Sequence, residues 1–149
     1  MATTRDRAAD GLGRPAVSGT VGRAEMIALT LPYPPSKNRL HRRVGQMTIL
    51  SREARDYRLH ASLCAISQLA DADVDAEWPI VGPVSVSLTF FRPRKTGDLD
   101  GRIPWLLDCL QGVGYADDKQ VIAIHAYRLE DKTNPRVEVV IERYVEVTA

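Results

Sequence analysis

The apolar positions change period along the chain, and each change marks an element. Ile27, Leu29 and Leu31 alternate with Ala28 and Thr30, the two-residue period of a short strand. Prolines at 32, 34 and 35 then forbid helix and remove ladder donors, so residues 32–39 read as a rigid, extended surface segment. Residues 42–50 alternate loosely around Gly45, which suggests a basic, hairpin-like arm. Ser51 is suited to cap a helix that runs to about Leu69. That helix carries two apolar stripes, one of Tyr57, Ala61 and Cys64, the other of Leu59, Leu63 and Ile66. One sheet contact needs less apolar width than this. The plainer expectation is a helix buried on both stripes. The sharper one shares the helix between the core and a dimer contact, and the plainer is preferred here. Residues 70–80 form an acidic loop ending in Trp78-Pro79. Val84, Val86, Leu88 and Phe90 alternate with Ser85, Ser87 and Thr89, a strand with one buried face. Ile103, Leu106, Leu107 and Leu110 recur at helical spacing, and Gly112 ends that helix. Residues 121–128 are apolar on both faces and read as a central strand. Asn134-Pro135 marks a turn into a last strand over 136–145, with Val137, Val139 and Ile141 on one side. This order predicts an α+β domain: a small mixed, largely antiparallel sheet with two helices packed on it.

A chain of 149 residues fits one domain. Residues 1–25 are rich in Ala, Gly, Thr and Arg without an apolar period, and are expected to be a disordered extension to a domain over 26–149. Basic and acidic residues nearly balance, 20 against 19, so net charge does not announce a nucleic-acid binder. The distribution says more. Residues 37–58 hold seven bases (Lys37, Arg39, Arg42, Arg43, Arg52, Arg55, Arg58) against Glu53 and Asp56, the makings of a basic face. Cys64 and Cys109 lie far apart with no metal-ligand spacing, which speaks against structural zinc and suits two free thiols. There is no apolar run of membrane-span length and no hydrophobic leader, so a cytoplasmic protein with no membrane partner is expected.

Candidate chemistry centres on acids. In Asp98-Leu99-Asp100 an extended chain points both carboxylates the same way. Like charges held so close are tolerated with a cation or with raised pKa values. Oxygen donors without sulfur or paired histidine favour a hard ion, Mg²⁺, with Mn²⁺ as the alternative. The competing assignment makes Asp100 a helix cap and Asp98 a loop residue. Asp117-Asp118 is a second acidic pair, of which only one member easily reaches the same ion. A helix over 103–111 climbs roughly 13 Å, and residues 112–117 span up to about 20 Å if extended. The loop can therefore return the second pair to the first. That return requires the strands before and after the helix to run antiparallel. Arg92, Arg94, Lys95, Arg102 and Lys119 are the bases near enough to offset charge on a reacting phosphate. The run Asp98-Leu99-Asp100-Gly101 also resembles the start of haloacid-dehalogenase-type phosphatases. There it should follow a buried strand directly, whereas here 92–97 intervene.

Taken in order, several stretches resemble the RusA family of Holliday junction resolvases. They are Leu31-Pro32-Tyr33-Pro34-Pro35-Ser36-Lys37-Asn38-Arg39, then Gly45, Ser51 and Tyr57-Arg58, then Asp98-Leu99-Asp100, Leu106-Leu107-Asp108-Cys109-Leu110 and Tyr115-Ala116-Asp117-Asp118-Lys119-Gln120-Val121. The resemblance runs from about residue 27 to 143. It implies a RusA-like fold and a homodimer that binds four-way DNA junctions and nicks two strands symmetrically with Mg²⁺. It implies Asp98, Asp100 and Asp118 as the catalytic metal ligands, and so picks Asp118 over Asp117. The expected DNA contacts are Lys37, Asn38, Arg39, Arg42, Arg43, Arg58, Arg94, Lys95 and Lys119. It further suggests a bacterial or prophage source. Two departures stand out. The family's Asn after the acidic pair is Gly101 here, and a lysine thought to assist catalysis is Pro104. The proline should start the helix at or near residue 104. Arg102 is expected to take the lysine's catalytic role, with Lys119 the other candidate. The alternative is a junction-binding protein that cuts weakly or not at all.

Overall fold

A computed structural model describes residues 26–71, 78–95 and 99–144; the expected extension at 1–25, the loop over 72–77 and Asp98 lie outside the described residues. The chain forms β1 (Met26–Pro32), β2 (His41–Val44), β3 (Met47–Leu50), α1 (Arg52–Asp71), β4 (Val84–Arg92), α2 (Ile103–Leu110), β5 (Val121–Glu130) and β6 (Arg136–Arg143). Short 3-10 turns at Lys37–Arg39, Asp100–Arg102 and Asp118–Gln120 precede β2, α2 and β5. The α+β class is as expected: four strands in the order β1-β6-β4-β5, plus the separate β2–β3 hairpin.

Ile27, Leu29 and Leu31 of β1 and Val137, Val139 and Ile141 of β6 turn to the helices, as their alternation requires. Against them α1 sets Ala54, Tyr57, Ala61, Ala65 and Leu69, and α2 sets Trp105, Leu106, Cys109 and Leu110. Each fully buried large aliphatic side chain contributes roughly 1.5–3 kcal/mol. Ser51 starts α1 as expected. Its hydroxyl accepts from the Ala54 N–H at 3.0 Å and donates to the Arg39 carbonyl at 2.5 Å. The cap therefore also clamps the basic turn before it. Pro104 sits in the first turn of α2, where a missing N–H breaks no helical bond.

Four expectations need correction. First, β4 is buried on both faces, with Ser85, Ser87 and Thr89 covered. Its neighbours do the covering: Thr89 lies between Glu138 and Tyr127, and Ser87 between Val140 and His125. Short polar side chains in a central strand are shielded by longer ones alongside. Second, the doubly apolar β5 is an edge strand, with Ile122 and Ile124 exposed. Third, the second stripe of α1 is not buried: Leu59, Leu63 and Ile66 all face outward. At 100° per residue it lies nearly opposite the alanine-lined face that meets the sheet, beyond the reach of α2.

Fourth, β4 and β5 run parallel, from Val84 beside Val121 to Arg92 beside Glu130. The loop before β5 does not extend back along α2. It curls, with the N–H groups of Val113 and Gly114 donating to the Leu110 carbonyl and Gly112 at φ +90°. The Ile80 N–H donates to the Gly114 carbonyl at 2.9 Å and docks the curl at the start of β4. From there β5 has only a parallel course, and α2 becomes a crossover.

Candidate active site

The site residues fall at two ends of β4. At its C-terminal end, the proline-rich segment after β1 meets the turn Asp100–Arg102. The Arg102 guanidinium donates to the Pro34 carbonyl at 2.6 Å and lies 4.6 Å from the centre of the Tyr33 ring. Tyr33 in turn stands edge-on to Phe90. The Tyr57 hydroxyl donates to the Pro32 carbonyl at 2.7 Å, and burial pushes its pKa well above the ordinary tyrosine value. These contacts frame a cleft of about 460 Å³ lined by Tyr33, Pro34, Arg39, Glu53, Arg94 and Arg102, among others. A Cβ on Gly101 would stand 3.6 Å from Cδ of Lys37, so the lysine stem lies against the residue that follows Asp100. The backbone of Asp100 is in its turn; its side chain lies outside the described residues.

Of the expected DNA contacts, Lys37, Asn38 and Arg39 form the 3-10 turn, Arg42 and Arg43 project from β2, and Arg94 and Lys95 follow β4, all exposed. Arg58 is elsewhere. Its guanidinium stacks 4.5 Å from the Trp105 ring, in the groove between α1 and α2 lined by Ser62, Asp108, Cys109 and Gln111. Burial pushes the neighbouring Cys109 thiol up to about 11, against the pull of Arg58. Lys119 is at the other end of β4.

At that N-terminal end the turn Asp118–Gln120 is tightly tied. The Asp117 carboxylate accepts from the Lys119 N–H at 2.9 Å. The Gln120 side-chain oxygen accepts from the N–H groups of Ala116 and Asp117, both at 2.8 Å. Its amide donates to the carbonyls of Ile80 and Gly82. The Gln111 side chain accepts from the Asp118 N–H at 3.3 Å. Asp117 is thus used as a cap, and the Lys119 N–H holds its carboxyl below the usual range. A hydrogen bond with Asp117, and the charges of Asp117 and Asp108, push the exposed Asp118 carboxyl above that range. Sequence reasoning missed the work of Gln120, Gln111 and Asp108. The signature for Gln120 was present: an acid followed three residues later by Gln is a capping box.

The two acidic elements are not adjacent within one chain. Nine residues of β4 at about 3.3 Å each, and an α2 about 12 Å long, separate the Asp100 turn from the Asp118 turn. Among the described residues, no three potential ligands gather at one point.

A basic, aromatic-bearing cleft beside one acidic segment, with a second acidic turn on the same sheet, is a build suited to phosphodiester chemistry. The chain belongs to the endodeoxyribonuclease RusA family, whose model matches residues 32–142, and it is a nuclease. It is 29% identical over 116 residues to crossover junction endodeoxyribonuclease RusA of Escherichia coli (strain K12), covering 76% of this chain and 92% of that protein. The protein of the same name from Shigella sonnei (strain Ss046) is 28% identical over the same length, and that of Enterobacteria phage 82 is 28% identical over 115 residues.

Proposed function

We propose that the chain resolves four-way Holliday junctions by paired, symmetric nicks during DNA recombination and repair, as a Mg²⁺-dependent homodimer in the cytoplasm. The observation that carries this is the family match over 32–142, which takes in the basic segment and both acidic elements. Asp98, Asp100 and Asp118 would hold the ion, Mg²⁺ or Mn²⁺. The donor set fits: Asp118 is an exposed oxygen donor in an acidic surround that a cation would offset, and Asp117 is already spent as a cap. When bound, the cation supplies Lewis-acid charge at the scissile phosphate and makes an attacking water more acidic. Arg102 and Lys37, on either side of Gly101, hold the phosphate against the acidic segment.

Because the acidic turns lie at opposite ends of β4, Asp118 of one protomer completes the Asp98–Asp100 site of its partner. The exposed stripe of α1 is suited to the dimer contact. Leu59, Leu63 and Ile66 centre on the middle of a 20-residue helix. Two such helices packed antiparallel bury the stripe.

The test is a synthetic four-way junction with Mg²⁺. Paired nicks are expected from the native chain and none from Asp100→Asn or Asp118→Asn alone. Mixing the two variants restores one intact site per heterodimer, so about a quarter of the native nicking should return. No restoration would leave the site within one chain. Duplex and junction binding without nicks in the native chain would favour the alternative, a junction-binding protein that cuts weakly. Pro104 and the engagement of Arg102 with Pro34 and Tyr33 support that alternative.

A further inference from the structure

The β2–β3 hairpin is left without a structural role by everything above. It is a two-stranded sheet of its own, and every residue from 41 to 48 is exposed. An isolated hairpin gains little from packing, so exposed apolar side chains on it point to a partner. Val44 and Met47 are such side chains, 48% and 65% exposed. They face one another across the tip and share a face with Arg42 and Ile49, while Arg43 and Thr48 share the other. Gly45 at φ +63° lets a two-residue turn close the tip, so the end is narrow.

Charge identifies the partner. From residue 37 to 52 the chain carries Lys37, Arg39, Arg42, Arg43 and Arg52 and no acid. An apolar tip on a wholly basic stem suits a polyanion with stacked apolar faces inside it, which is DNA. The stem is anchored beside the acidic segment: the Ser51 N–H donates to the Leu40 carbonyl at 2.7 Å, and Lys37 lies against Gly101.

We propose that the hairpin is a wedge, with Val44 and Met47 entering the base stack at the branch point while Arg42 and Arg43 grip the flanking phosphates. Unstacking is least costly where the stack is already interrupted, so the wedge selects branched DNA over duplex. The inference rests on the nuclease assignment and deepens it.

The test uses the full chain, Ca²⁺ in place of Mg²⁺ to hold DNA uncut, and four-way junctions with 2-aminopurine at the branch point or midway along an arm. With the native chain, fluorescence should rise at least about twofold at the branch point and not in the arm. The Val44→Ala/Met47→Ala variant should lose that rise and roughly 10-fold of its preference for junction over duplex. Met47→Leu should keep both. Circular dichroism should be unchanged throughout, because these side chains touch no core. An undiminished branch-point signal in the double alanine variant would overturn the wedge. So would native protein that binds and cuts junctions with no signal, or a double variant that turns monomeric and keeps it; the last makes the hairpin a dimer arm. Native protein that neither binds nor cuts junctions would instead overturn the assignment beneath it.

Discussion

The two ends of β4 are held in different ways. At the N-terminal end side-chain amides and the Asp117 cap fix the Asp118 turn, and Gln120 alone serves two N–H groups and two carbonyls. At the C-terminal end cations do the holding: Arg102 on Pro34 and Tyr33, Lys37 along Gly101, Arg136 on Asp131 and Phe91. An amide network is indifferent to salt and leaves the carboxylate of Asp118 exposed. A cationic frame is also attractive to phosphate, so the groups that hold the loop are those DNA would compete for. One end therefore presents a fixed carboxylate, and the other presents a cationic surface that a phosphate would tighten.

The sharpest break in this comparison should come between adjacent acids. Asp118→Asn should lower junction cleavage at least roughly 100-fold, and Asp117→Asn only a few-fold, with the cap kept because Asn also accepts from the Lys119 N–H. Equal losses in a cleavage assay would remove the distinction. Next comes Gln120→Leu, which orphans two N–H groups and two carbonyls and should cost about 3 kcal/mol in denaturant unfolding. A change below about 1 kcal/mol would show that water replaces the amide freely. Arg102→Ala should lower cleavage roughly 10-fold and reduce the salt sensitivity of junction binding; unchanged cleavage would remove Arg102 from the reaction. Lys37→Ala should weaken junction binding a few-fold and reduce the salt slope by about one. A slope that does not move would mean that Lys37 meets no phosphate. The smallest effect belongs to Asp131, whose carboxyl is held below its ordinary range by Thr133 and Arg136. A folded-state value below the unfolded one stabilises above the carboxylate range, and the gain is lost as pH falls through it. The difference in melting temperature between the native chain and Asp131→Asn should therefore be open at neutral pH and close on acidification.

Local features were legible in the sequence. Ser51 caps α1, Gly45 turns the hairpin, and the alternations in β1 and β6 face the core, because each depends on residues a few positions apart. The direction of β5 was not legible, because it is set by a contact between Gly114 and Ile80 across a crossover. Burial of Ser85, Ser87 and Thr89 was hidden for a similar reason: their cover comes from strands not yet aligned. β5 looked central because its apolar side chains could not reveal that, among the described residues, no strand lies beyond it. As to the site, the acidic pairs and the basic segment stood out by type and spacing. Their distribution to opposite ends of the sheet did not, since it follows from that same crossover.

The outward stripe of α1 has a consequence for handling the protein. If a second copy covers Leu59, Leu63 and Ile66, folding and assembly share one equilibrium, and the melting temperature rises with protein concentration. Dilution would then reduce thermal stability and cleavage together, and a dilution series alone would report on the partner that α1 awaits.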